Sequence, residues 1–498
     1  MQRALRSPGT WIAALALVLA LLLPGLRGIW DPDEGRYTNV AMHMLDTGDW
    51  LVPHRSEEVA HWTKPPLTYW AIASSVATFG RTPWAARLPA SLSYLLCVWL
   101  CFRMARRLAP GSERMAALAF ATMLLPFGAA QLITTDFLLA ACEALALGGF
   151  VEARFGNPGH ARRWLALMWA GFGLAFLTKG PPGLLPLLAV FVFDALTRAT
   201  GVHGQRRPRA LQWWGPLLFV AIALPWYLAV VLRNPGLLDY FLGAEVVDRI
   251  ASDQFKRHGQ WYGWLTIYAP TLLLGTLPWT PALWRWLRSL PAQVSTWRSP
   301  VGRDVDRTGL LLALWIALPL LVFCVSRSRL PLYVLPLFVP LALVVARQRL
   351  AEGRGLPRWR WILAWAALLL ALETATALWP THKDGAAWEQ AIRERTQGPV
   401  TQVLIVDDMA RYSLYLQMGV DVEKLSLFPL QQPEYGPEFD EDVADELGDD
   451  YDPDAIWFTK QDHYPVVAAR LQDLGYTAIP QGTPYHGRTL FRVVRRAD

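Results

Sequence analysis

Asp31-Pro32-Asp33-Glu34-Gly35-Arg36-Tyr37 sets three carboxylates beside a guanidinium and a phenol. Such a group can hold a metal, orient a polar substrate or accept a proton. It directly follows the apolar segment 10–26. Carboxylates are costly in lipid, so the cluster belongs at or beyond a membrane face. Asp33 and Glu34 also suit the first turn of a helix running to Leu45. That reading leaves Arg36, Tyr37 and the charged motif downstream unexplained, so the functional reading is preferred.

The downstream motif is His61-Trp62-Thr63-Lys64-Pro65-Pro66-Leu67. A lone interfacial lysine usually snorkels. Here the proline pair fixes the entry of an apolar helix and holds the Lys64 ammonium where it suits a phosphate. Asp136 opens an apolar helix and, taken alone, reads as an N-cap. Lys179 ends an apolar span before Gly-Pro-Pro, either as a helix C-terminal charge or as a ligand for a lipid phosphate. Glu143, two turns beyond Asp136, is either functional or bonded to a neighbouring helix. The loop 234–262 carries Glu245, Arg249 and His258 among aromatics and reads as a lid or binding loop. Ser326-Arg327-Ser328-Arg329-Leu330-Pro331-Leu332-Tyr333 adds two cations.

These residues must be positioned by membrane-spanning helices. The chain has 498 residues, is 53% hydrophobic and carries 25 Trp, with the apolar residues in blocks. Blocks of that length predict spans. They fall near 10–27, 84–103, 114–131, 135–152, 163–178, 182–197, 212–232, 263–284, 308–326, 330–347 and 360–379, about eleven in all. The short segment 64–79 reads as interfacial or re-entrant. Arg3 and Arg6 precede a run with no small-residue cleavage site, so an uncleaved first helix is expected. The net charge of +6 sits in basic clusters such as Arg103-Arg106-Arg107 and 285–307. They occupy alternate loops, as cytoplasmic loops do. The charge is topological, and nucleic acid is not an expected partner. Cys97, Cys101, Cys142 and Cys324 all lie in predicted helices and read as buried hydrophobes. Almost every unusual polar residue then falls on the outer face, where a polyprenyl-phosphate sugar would find cations, carboxylates and an apolar groove.

From about Thr381 the composition becomes that of a soluble α/β domain. Strands are expected at 403–406, 455–459 and 490–494, and helices at 411–418 and 465–474. Eleven acidic residues between Glu434 and Asp454 read as a solvated loop; their spacing matches no known calcium loop. The domain plan is thus a membrane domain over 1–380, with outer loops at 28–83 and 233–262, and an outer domain over 381–498.

D-P-D-E-G-R-Y, M-L-D-T-G-D-W-L-V-P and T-K-P-P-L-T-Y-W resemble the first outer loop of the bacterial aminoarabinose (lipid A) transferases. These are relatives of the protein O-mannosyltransferases with the glycosyltransferase C fold. A-A-R-L-P at 85–89, T-T-D at 134–136, L-T-K-G at 177–180 and S-R-S-R-L-P-L-Y-V-L-P at 326–336 extend the resemblance in order. It spans the membrane part and is weak beyond it. The resemblance implies a polytopic α-helical membrane protein of glycosyltransferase C type with a small C-terminal α/β periplasmic domain. It also implies an inverting enzyme of the bacterial inner membrane, expected as a monomer. Such an enzyme moves a sugar from undecaprenyl phosphate to lipid A or a related envelope acceptor. Asp33 and Asp136 match the family's acids, and Glu34 is grouped with them as catalytic. Arg36, Lys64 and Lys179 match cations near the donor phosphate, and Arg327 and Arg329 join them. Tyr333 matches the tyrosine of a late motif in which Arg329 replaces the usual lysine. Glu245, Arg249 and His258 are assigned to the acceptor or lid loop. Thr63 stands where the family commonly has a glutamate able to join a metal site, and Val246 follows Glu245 where relatives often carry a polar residue. No cofactor is assigned, and a divalent metal stays open. A protein or polysaccharide transferase is the alternative. A lipid-linked-sugar flippase ranks below both, because the charges gather on one face and no repeat is visible. A membrane sensor would leave that face unexplained.

Overall fold

The computed structural model describes residues 8–197, 207–243 and 258–496. The chain forms two compact units. One joins Met1–Leu23 to Pro89–Thr374, the other Pro24–Leu88 to Ala375–Asp498.

The first unit is helical. Five helices of the described chain are long and apolar enough to cross a membrane: Pro83–Leu108, which begins in the other unit, Trp214–Arg233, Arg307–Val325, Pro331–Ala351 and Trp359–Leu378. A further pair, Leu124–Ala130 and Thr135–Phe155, passes together but bends by 119°. The apolar blocks thus contain more breaks than their hydropathy reveals. Block 114–131 divides at Met123, whose ψ of 136° is extended. Leu124 N bonds Leu277 O at 3.2 Å rather than a helical carbonyl. Block 263–284 divides into helices Gly263–Gly275 and Thr280–Trp297. Pro278 lies between them, without an N–H and disfavouring helix at the residue before it.

The two helices that matter most here, Thr135–Phe155 and Ala161–Lys179, pack closely because glycines face their partners. A Cβ on Gly149 would lie 2.6 Å from Trp164 O, and one on Gly171 2.8 Å from Ala146 N. This approach sets the start of one helix beside the end of the other. Phe137, Phe150 and Phe172 fill the surrounding core.

The second unit contains a six-stranded sheet: β1 Gln402–Val406, β2 Asp421–Ser426, β3 Glu441–Asp442, β4 Ile456–Lys460, β5 Tyr476–Pro480 and β6 Arg488–Arg495. Its order is β3-β2-β1-β4-β6-β5. β1, β2, β3 and β4 run parallel, and β6 is antiparallel to β4 and β5. Leu404, Val406, Leu425, Trp457 and Phe491 form its core with Val443, Val467 and Leu471 from the helices. The acid-rich segment expected as a solvated loop instead holds β3 and the helix Val443–Asp449. Asp442 caps that helix, accepting from Ala444 N at 2.8 Å.

Residues 24–88 build onto this sheet domain. They carry helices Asp33–Thr47 and Leu67–Phe79, the latter being the segment expected as interfacial or re-entrant. Asp31 N donates to Lys383 O at 2.9 Å, and Gly385 N donates to Ile29 O at 2.9 Å. The Asp31 carboxylate accepts from the Ser413 hydroxyl and from Ser413 N. Burial pushes the Asp31 carboxyl up to about 7 against these bonds. Gly35 makes the approach feasible: a Cβ there would lie 1.8 Å from Asp31 Oδ1 and 2.8 Å from Ser413 N. Gly35→Ala is therefore expected to destabilise this unit by about 1–3 kcal/mol. Faster limited proteolysis of residues 24–88 in the variant checks this.

Candidate functional site

In the helical unit, Thr134 opens the helix Thr135–Phe155, and its side chain accepts from Asp136 N at 3.2 Å. The N-cap is thus Thr134, not Asp136 as expected. The Asp136 carboxylate is left for another partner. It takes the Lys179 ammonium at 2.5 Å, with both side chains about nine-tenths buried. Lys179 Nζ also sits 4.3 Å from the centroid of the Tyr333 ring, within the range of a cation–π interaction. Three motifs far apart in sequence thus meet around one ammonium. The arrangement offers a partly desolvated positive charge whose position is fixed by a carboxylate and a ring. Such a charge stabilises anionic oxygen more strongly than a freely moving surface lysine. Glu143 is buried in the same helix at 3% exposure.

The two arginines before Tyr333 differ. Arg327 is exposed. Arg329 is buried and donates to His258 O at 2.6 Å, Gln260 O at 2.7 Å and Cys324 O at 3.0 Å. Arg329, expected on a phosphate, therefore fastens the end of the 233–262 loop. His258 is exposed and contributes its carbonyl to that fastening. Glu245 and Arg249 lie outside the described residues.

In the other unit, neighbours in sequence have unlike surroundings. Asp33 is exposed and pairs with Arg36 at 2.9 Å, one helical turn on. Glu34 points inward. It takes Arg27 at 2.5 Å and Arg87 at 2.8 Å, and accepts from Trp30 N at 3.0 Å. Burial would raise its carboxyl, but the two guanidiniums outweigh that and hold it at about 2. Glu34, expected among the catalytic acids, is thus a buried anchor. Arg87 completes the anchor by donating to Pro24 O, Arg27 O and Gly28 O.

Lys64 donates to Thr63 O at 2.5 Å, and the Thr63 hydroxyl bonds His61 Nε2 at 2.6 Å. His61 is buried. Burial and then the charges of Arg36, Arg55 and Lys64 hold its pKa well below the usual histidine value. The imidazole is neutral at pH 7. Arg55 is itself committed to Asp440 at 2.8 Å. Sequence reading overlooked Arg27 and Arg87. Arg87 lies within the A-A-R-L-P motif, so the motif was a signal even though its role was not.

Residues 63–228 match the dolichyl-phosphate-mannose-protein mannosyltransferase family. A curated relative from Aeromonas salmonicida (strain A449) is 33% identical over 394 residues, 75% of this chain and 66% of its own length. One from Enterobacter sp. (strain 638) is 32% identical over 372 residues, covering 70% and 62%. Both are undecaprenyl phosphate-alpha-4-amino-4-deoxy-L-arabinose arabinosyl transferases. The chain therefore spans just under two thirds of their length. ArnT from Cupriavidus metallidurans superposes with a TM-score of 0.72 in its apo state, at 20% identity over 97% of both chains. Its form bound to undecaprenyl phosphate gives the same score at 22% identity. This multi-pass membrane protein thus stands among the relatives of the aminoarabinosyl transferases and has their glycosyltransferase C fold.

Proposed function

We propose that the chain is an inverting glycosyltransferase that moves 4-amino-4-deoxy-L-arabinose, or a close analogue, from undecaprenyl phosphate to lipid A. The reading puts it in the bacterial inner membrane with its chemistry on the periplasmic side, opposite the basic loops. The Asp136–Lys179–Tyr333 arrangement carries this reading, and the kinship with transferases of that name supports it.

In the proposed step, an acceptor oxygen attacks the anomeric carbon. The new C–O bond forms as the bond to the phosphate oxygen breaks, and its electron pair leaves with undecaprenyl phosphate. Lys179 stabilises the charge growing on that phosphate, with Asp136 and the Tyr333 ring fixing the ammonium. Arg36, Lys64 and exposed Arg327 serve the anionic groups of donor and acceptor. The 233–262 loop, including Glu245, Arg249 and His258, acts as the lid, and Arg329 fastens its end. A lipid A phosphate is already anionic and needs no base. A hydroxyl acceptor does need one, and exposed Asp33 is the carboxylate for it. Thr63 and His61 are bonded to each other, a weak donor set for a hard metal. Residues 381–498 are proposed as the periplasmic domain.

Mass spectrometry of lipid A and other envelope glycans, with and without the gene, tests this. Loss of an aminopentose from lipid A phosphate is expected, and Asp33→Ala should retain most of the transfer. Lipid A that is identical in both strains, with the sugar missing from a protein or polymer instead, would overturn the acceptor. Asp33→Ala should then abolish transfer.

A further inference from the structure

Three carboxylates converge at the β3 edge of the sheet, from Glu423 on β2, Glu441 on β3 and Glu446 in the helix Val443–Asp449. One oxygen from each lies within 4.8 Å of the other two. Glu446 is 1% exposed, and its carboxylate oxygens have no donor other than the neighbouring Glu441 carboxyl. Glu441 Oε1 is likewise buried without a donor. Glu423 accepts from Gln402 Nε2 at 3.1 Å.

The fold prevents Glu446 from turning outward. Asp442 fixes the start of its helix, and Val443 and Leu447 on either side are in the core. The one basic side chain of these elements, Lys424, is taken by Glu438 at 2.8 Å, and Arg55 of the 24–88 stretch is taken by Asp440. Asp421, Asp440, Asp445, Asp450 and Glu58 add negative charge around the cluster. Burial and mutual repulsion push the Glu423 carboxyl up to about 9, and burial followed by the carboxyl contact with Glu441 raises Glu446. Like charges brought together out of water need a counter-charge or protons.

The donor set is all oxygen, which selects a hard cation over zinc or copper. Oxygens sharing one calcium ion at about 2.3–2.6 Å lie no more than about 5 Å apart, a limit these three meet. Magnesium demands near-ideal octahedral geometry and gives up its waters reluctantly, so a group of three protein carboxylates suits calcium better. We propose that Glu423, Glu441 and Glu446 bind a calcium-class divalent cation that ties β2, β3 and the helix Val443–Asp449 together. Water and the second carboxylate oxygens complete its coordination. The site is separate from the sugar-transfer reading and stands without it.

The test uses the full-length protein in detergent, stripped with EGTA. Calcium binding is measured by equilibrium dialysis and thermal stability by melting. Wild type should bind one calcium per chain and melt higher in about 1 mM calcium. Glu446→Gln and Glu423→Gln should each weaken binding about tenfold or more. In EGTA at neutral pH, Glu446→Gln should melt close to wild type, because without a cation the buried carboxyl is already protonated and uncharged. A variant that simply misfolds would melt lower. Wild type that binds no calcium, magnesium or manganese overturns the proposal. So does stabilisation by acid alone, with protons then holding the cluster.

Discussion

Replacing Lys179 by methionine is expected to lower sugar transfer at least about a hundredfold, the usual loss when one pre-positioned electrostatic donor is removed. The release of undecaprenyl phosphate from the lipid-linked donor gives the rate. In the proposed mechanism the charge that Lys179 meets grows as the sugar–phosphate bond breaks, so the loss should lie mainly in kcat. Lys179→Arg should recover only part of it. A planar guanidinium keeps the charge but cannot place it in the same way between Asp136 and the Tyr333 ring. The pair could instead serve packing alone. Removing one partner would then leave a buried charge, and removing both would relieve it. Asp136→Asn with Lys179→Met should therefore melt nearer wild type than either single variant, while transfer stays lost. Transfer that returns together with stability would sink the role given to Lys179.

Glu34→Gln is expected to be the most destabilising single change in the unit made of residues 24–88 and 375–498. It removes the counter-charge of two buried guanidiniums, Arg27 and Arg87. Breaking a buried ion pair from one side costs about 3–5 kcal/mol, a large share of the stability of an ordinary domain. Limited proteolysis and the yield of monodisperse protein measure it. The pH dependence has a defined sign. The Glu34 carboxyl ionises more readily folded, at about 2, than at its ordinary 4.5. Its contribution is whole above pH 4.5 and is lost as pH falls toward 2. Glu34→Gln should therefore show a smaller loss of stability than wild type over that acid range. An identical acid profile in both proteins would contradict the ion-pair account.

Asp33 and Glu34 show what sequence reveals and what it hides. Their acidity and their position after a span were readable. Which one points to solvent depends on helix phase and on Arg87, 53 residues on. Lys179 was ambiguous between a helix-end charge and a ligand, because Asp136 is 43 residues away and only tertiary packing joins them. Hydropathy located the apolar blocks, but the breaks at Met123 and before Pro278 needed backbone geometry. In the C-terminal segment, β1, β4 and β6 were legible from their apolar runs. β2, reading Asp-Val-Glu-Lys-Leu-Ser, was not, because half of it is charged. The inward turn of Glu441 and Glu446 was hidden for a related reason: acidity argued for water, and the core contacts of Val443 and Leu447 override it.

The unit that holds Asp31, Glu34 and Lys64 is assembled from two stretches separated by roughly 290 residues of membrane helices. A ribosome adding about 5–20 residues per second needs about 15–60 s to cover that distance. For that interval the early stretch has left the ribosome, but Lys383, Gly385 and Ser413 do not yet exist. Asp31 and Ile29 then have no backbone to bond. Nascent chains are thus most open to proteases and chaperones at this stage, and truncation before residue 375 leaves the first loop permanently unfinished.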